Sequence, residues 1–150
     1  MIMDTQEMFS NGQSLIAGTG DLVSTNVLDT AASVSNPQNH DEGIGEEVWL
    51  SVREGTAMVA VGGTVQLVLQ TASDVAFTTP VEFPLTAALG PSSYPANTFV
   101  YQGRLPAGLQ RFLRVVYRIA GAAVTAGTAD AFITKDIQRN RAYNAGYTVA

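Results

Sequence analysis

The chain has 150 residues, enough for one domain that buries about two-thirds of its unfolded surface. It is 46% hydrophobic and 14% charged, below the roughly 25% of ordinary globular chains, and it has no cysteine. Disulfide scaffolds and thiolate metal sites are excluded, so the fold must rest on its core. No apolar run reaches the roughly eighteen residues of a membrane helix, and the opening MIMDTQEMFS lacks a basic leader pattern, which predicts a protein made in a cytoplasm without an anchor.

Charge is split along the chain. Residues 1–100 hold eleven Asp and Glu against Arg53 alone, whereas residues 101–150 hold seven Lys and Arg against Asp130 and Asp136. The basic part is sparse and sits in a chain of net charge -5, so it is read as pairing with acidic groups, in the fold or on a neighbouring subunit, and not as a nucleic-acid footprint.

In chain order, residues 1–15 form either an extended arm lying on a partner or an edge strand, ending at the turn signal Asn11-Gly12. The AGTGD loop at 17–21 lacks the third glycine and the helix of a phosphate-cradling turn. Residues 22–30 read as a short strand, and 31–45 as a long polar connection. Asp41, Glu42, Glu46 and Glu47 lack calcium-loop spacing and read as solvated acids. Val48–Arg53 alternates Val48, Leu50 and Val52 against Trp49, Ser51 and Arg53, so the only tryptophan leaves the aliphatic side, as a binding anchor or as a cap on the core edge.

Gly62-Gly63 is a turn, and Thr64–Thr71 is a strand with Val65, Leu67 and Leu69 inward and Gln66, Val68 and Gln70 outward. Pro80 and Pro84 confine any strand at 77–86 to a sheet edge. Residues 90–97 are a loop, 98–105 a strand, and Pro106 to Gly108 a turn. The segment RFLRVVYRIAG at 111–121 is the central strand, with Leu113, Val115, Tyr117 and Ile119 on a core face and Arg114, Val116 and Arg118 on a face expected to meet a partner. Residues 128–137, rich in small side chains, form the last strand. The tail 138–150 alternates Arg139 and Arg141 with Tyr143 and Tyr147, a pattern that fits a docking tail better than single-stranded nucleic acid, given so little charge.

No ten-residue segment keeps a helical apolar period. The expected fold is all-β: one jelly-roll β-sandwich of about eight antiparallel strands over residues 1–150, with an extended N-terminal arm and a C-terminal tail. The single histidine, His40, lies in the acidic loop and no serine sits in a nucleophile elbow, so no catalytic residue, cofactor site or metal site is assigned and an enzyme is not expected. A carboxylate-pair glycosidase would have nothing to locate its acids.

The segments MIMDTQEMFSNGQSL, LQTASDVAF, GLQRFLRVVYRIAGAAVTAGTADAFITKD and AYNAGYTV resemble the small capsid cement proteins of tailed bacteriophages, of the type found on a Bordetella phage. The resemblance runs from end to end and is weakest at 38–47 and 84–97. It implies a jelly-roll decoration protein, assembled in the host cytoplasm, that binds the outer surface of the major capsid protein shell and bridges capsomers of the expanded head. It also implies oligomerisation on the shell; dimers are expected ahead of trimers, and the charge and hydropathy patterns lead to neither nucleic acid nor membrane as partner. The residues assigned to capsid or subunit contacts are Met3, Phe9, Trp49, Arg114, Arg118, Arg139, Arg141, Tyr143 and Tyr147. Two other readings remain: a glycan-binding sandwich using Trp49, Tyr94 and Tyr101, and a head-tail joining component.

Overall fold

A computed structural model describes residues 5–30, 47–135 and 137. After a single 3-10 turn at Thr5–Glu7 come β1 (Met8–Ser14), β2 (Gly20–Val23), β3 (Leu28–Asp29) and β4 (Trp49–Val59). They are followed by β5 (Thr64–Ala72), β6 (Val81–Pro84), β7 (Thr98–Arg104), β8 (Phe112–Ala120) and β9 (Ala126–Thr134). One sheet has the order β1-β9-β4-β7 and the other β2-β8-β5-β6, with β3 also paired to β8, and every pairing is antiparallel. The chain changes sheet at every connection except β2–β3 and β5–β6, which is the winding of a jelly roll. β2 and β3 share one edge of β8, so nine strands fill eight positions.

The period-two alternation of the sequence builds the core. Leu50 and Val52 of the first sheet face Val65, Leu67, Leu69, Leu113, Val115, Tyr117 and Ile119 of the second, all buried. Each such side chain contributes about 1.5–3 kcal/mol by leaving water. Ala129 and Ala131 on β9 are fully buried, and their small size lets the sheets approach there. A buried polar relay ties the sheets together: the Tyr117 hydroxyl donates to Ser10 Oγ at 3.1 Å, and Ser10 Oγ donates to Gln13 Oε1 at 2.7 Å. Tyr94, expected in a loop available to sugars, is instead a core plug whose hydroxyl donates to the Val65 carbonyl at 2.8 Å.

Of the two readings of the first residues the edge strand holds: residues 8–14 form the edge strand of the first sheet, and Phe9, assigned above to a partner contact, is instead fully buried in the core. Asn11-Gly12 does not end the strand. Gly12 takes φ +58 where the β1–β9 register shifts, and its N–H donates to Asp130 Oδ1 at 2.6 Å, so the dipeptide makes an irregularity within the strand. Pro84 does lie on an edge strand, β6, as its missing N–H requires.

At one end of the sandwich the β4–β5 and β8–β9 turns press backbone against backbone. A Cβ on Gly121, which has φ +81, would lie 2.5 Å from the Gly62 carbonyl oxygen. Gly121→Ala is expected to lower stability by about 1–3 kcal/mol, through strain and displacement of the neighbouring turn, as read by urea unfolding.

Candidate functional site

The face that the sequence singles out is the outer side of the second sheet. The alternation of β8 turns Arg114, Val116 and Arg118 outward, and the register places Val116 beside Val68 of β5 and Val23 of β2. Val68 and Val116 are fully buried although they point away from the core. The polar side chains around them account for this.

Arg118 donates to both carboxylate oxygens of Asp21 on β2, at 2.8 and 3.0 Å, and reaches Glu82 on β6 at 2.8 Å. Gln70 donates to Glu82 at 2.6 Å and accepts from Arg114 at 2.7 Å, while the Arg114 guanidinium lies 4.0 Å from the centre of the Phe77 ring. The network spans the sheet from β2 to β6, and its four charges cancel. Bonding to Arg118 holds both the Asp21 and Glu82 carboxyls below their ordinary range, with Gln70 a further cause at Glu82. Conversely, these two acids raise the Arg118 pKa.

Arg118 and Arg114, assigned above to acidic partners, therefore already have partners inside the domain. The outward glutamines are likewise occupied, Gln66 donating to the Thr86 carbonyl at 3.0 Å. Arg111 pairs with Asp29 of β3 at 2.7 Å.

Trp49 opens β4 on the outer side of the first sheet and is half-buried. It sits in register with Arg104, whose guanidinium lies 5.5 Å from the indole ring and pairs with Glu47. On the same side Phe132 meets Phe99 edge to face at 6.5 Å. Trp49, Tyr94 and Tyr101 do not form a sugar platform, because Tyr94 is inside the core and Tyr101 packs against it. Met3, Arg139, Arg141, Tyr143 and Tyr147 lie outside the described residues. The candidate contact residues are not gathered into one site: Arg114 and Arg118 share the second sheet's outer face, Trp49 lies on the first, and Phe9 is internal.

The sequence reading missed Glu54. Leu50 and Val52 point inward, and one further step of the same alternation reaches Glu54, which is 1% exposed. Its Oε1 has no hydrogen-bond partner among the described residues. Burial, with the nearby Asp130 charge as a second cause, pushes its carboxyl up to about 8. Gly127 makes room for it, since a Cβ there would stand 3.3 Å from Oε1. Extending the strand past Arg53 would have revealed an acid on the core face.

Nine antiparallel strands in two layers, with polar groups on the outer face engaged by one another, define a jelly-roll β-sandwich. Residues 9–133, from β1 through nearly all of β9, match the Bbp16 family, and the chain belongs to it. The family is named like a Bordetella phage protein, which makes this a phage-associated chain. No curated protein matches it.

Two outcomes follow for these groups. Arg118→Ala should lower stability by about 1 kcal/mol in low salt, and by less in high salt, because the bridged groups are over a third exposed. For Glu54 the folded carboxyl keeps its proton between about 4.5 and about 8 while the unfolded one loses it, so stability falls as pH rises through that window. Glu54→Gln should abolish this slope, about 1.4 kcal/mol per pH unit inside the window, in urea titrations at pH values across it.

Proposed function

We propose that this protein is a capsid cement protein, which binds the outer surface of an expanded shell of major capsid protein and bridges neighbouring capsomers. The observation that carries the reading is that the jelly-roll domain itself, over residues 9–133, belongs to a phage-associated family. The match thus covers the folded unit from β1 to β9 and not a single motif.

The mechanism is passive. A domain that binds the expanded shell and not its disrupted form stabilises the shell by its binding free energy at every occupied position. Repetition over a lattice multiplies contacts that are individually modest. The internal pairing described above suits such a body, because charged groups matched within the fold need not be stripped of a partner when a face is covered. Self-association, with dimers ahead of trimers, belongs to this proposal, as do the assigned contacts of Trp49 and the terminal segments.

Purified protein should co-sediment saturably with expanded, undecorated capsids, leave unexpanded shells bare, and raise the disruption temperature of the expanded particles. Binding to neither shell would refute the cement reading, and a copy number of about a dozen or fewer per particle would favour the head-tail joining component.

A further inference from the structure

The jelly-roll winding sorts the connections by end. Gly20 pairs with Ile119, Thr64 with Ala120, and Val59 with Ala126, so the β1–β2, β4–β5 and β8–β9 connections lie at the same end. The β6–β7 connection joins them through the Leu89–Val65 bridge and the bond from the Met58 N–H to the Tyr94 carbonyl. These four stretches, residues 15–20, 60–64, 85–97 and 120–127, contain no acidic or basic residue. At the opposite end, Glu7, Glu47, Asp74, Arg111 and Lys135 flank or occupy the connections.

The charge-free end is also apolar and fixed. Val61 is 89% exposed, Ile16 62% and Val59 46%. The backbone beside Ile16 and at Val59 is pinned: Ala17 and Val124 exchange two hydrogen bonds at 3.0 and 3.3 Å, and the Thr125 N–H donates to the Val59 carbonyl at 2.8 Å. Aliphatic side chains held out to water on a locked backbone lose little freedom when covered.

Resting on the cement reading, we infer that this end of the sandwich is the seat of the protein on the shell, and that its partner is an uncharged, apolar patch of the shell protein. Charge complementarity sets the class of partner. An ion placed against these loops would lose its water with no counter-charge within them to meet, and a nucleic acid would find no cation within them for its phosphates; Arg53, which donates to Asn97 at 3.1 Å, reaches the 85–97 stretch from the middle of β4. The area argues against a free dimer through this end. With four strand positions per sheet, the end measures about 20 by 20 Å, on the order of 400 Å² in projection. A stable pairwise interface takes about 800 Å² from each partner. A contact half that size is weak alone and effective when repeated over a lattice.

The test introduces charge at the seat and, as a control, at the other end. Val61→Glu and Ile16→Glu each change an exposed side chain at the seat, and Val75→Glu changes one that is 67% exposed in the β5–β6 connection. Co-sedimentation with expanded capsids is measured for all three against the unaltered chain, with thermal unfolding to confirm the fold and sedimentation velocity to read self-association. The expected result is roughly a tenfold or greater loss of affinity for each seat variant, unchanged binding of Val75→Glu, and binding of the unaltered chain that is insensitive to salt. If the unaltered chain binds and the folded seat variants bind equally well, the seat is overturned while the cement reading stands. If the unaltered chain binds no capsid, both fall. Self-association of the free chain that Val61→Glu abolishes, with capsid binding retained, would show that a second copy covers this end instead and would overturn the inference.

Discussion

Strand β8 is bonded along both edges and buried on both faces, and the rest of the second sheet follows from that. Leu113, Val115, Tyr117 and Ile119 demand the core, while Val116 on the other face also needs to leave water. A one-residue slip against β5 would exchange the two faces and set Arg114 and Arg118 in the core. The register is thus fixed by the cost of burying unpaired guanidinium groups as much as by the gain of burying aliphatics. The outward Val68 and Val116 are covered without a third layer because the arginine stems lie over them, while the Arg118 head reaches acids on β2 and β6 and the Arg114 head meets Gln70 and the Phe77 ring.

The lopsided charge of the sequence has a topological cause. β2 and β3 lie on one side of β8, and β5 and then β6 on the other, so acids from the first part of the chain border basic residues from the last part. Asp21 and Glu82 meet Arg118, Asp29 meets Arg111, and Glu47 meets Arg104. Individually these exposed pairs are worth little. Arranged as they are, they fasten short outer strands to long inner ones, and they leave few unmatched cations on the outer face of the second sheet. Among the described residues, Arg104, Arg111 and Arg118 of the basic half are therefore halves of internal pairs.

Most of the fold was legible where burial is one-sided. The alternation in β4, β5 and β8 identifies each strand and its core face, and the prolines confine β6 to an edge, whereas in β7 a register shift against β4 sends Phe99 to the outer side and Tyr101 to the core. The failures have separate physical reasons. Asn11-Gly12 has turn chemistry, yet Gly12 uses its positive φ for an irregularity that lets β1 run on to Ser14. Phe9 would face a partner only if residues 1–15 were an arm; as part of an edge strand it belongs to the core. The partners of Arg118 lie 97 and 36 positions away in sequence, a separation that only the winding closes. Tyr94 falls in a Pro- and Gly-rich loop, where nothing local reveals that its ring turns into the core.

The charge-free end depends on both kinds of information. Each of its stretches is an ordinary uncharged connection when taken alone, and the first and last are separated by about two-thirds of the chain. A jelly roll brings alternate connections to the same end, so four neutral loops become one surface while the charged ones gather opposite. The same winding that pairs the charges on the outer face of the second sheet thus leaves one end with none. The two ends of the domain therefore differ in kind, one with charged residues in its connections and one with none in them. The end that can be dried without stripping an ion is the one that costs least to cover.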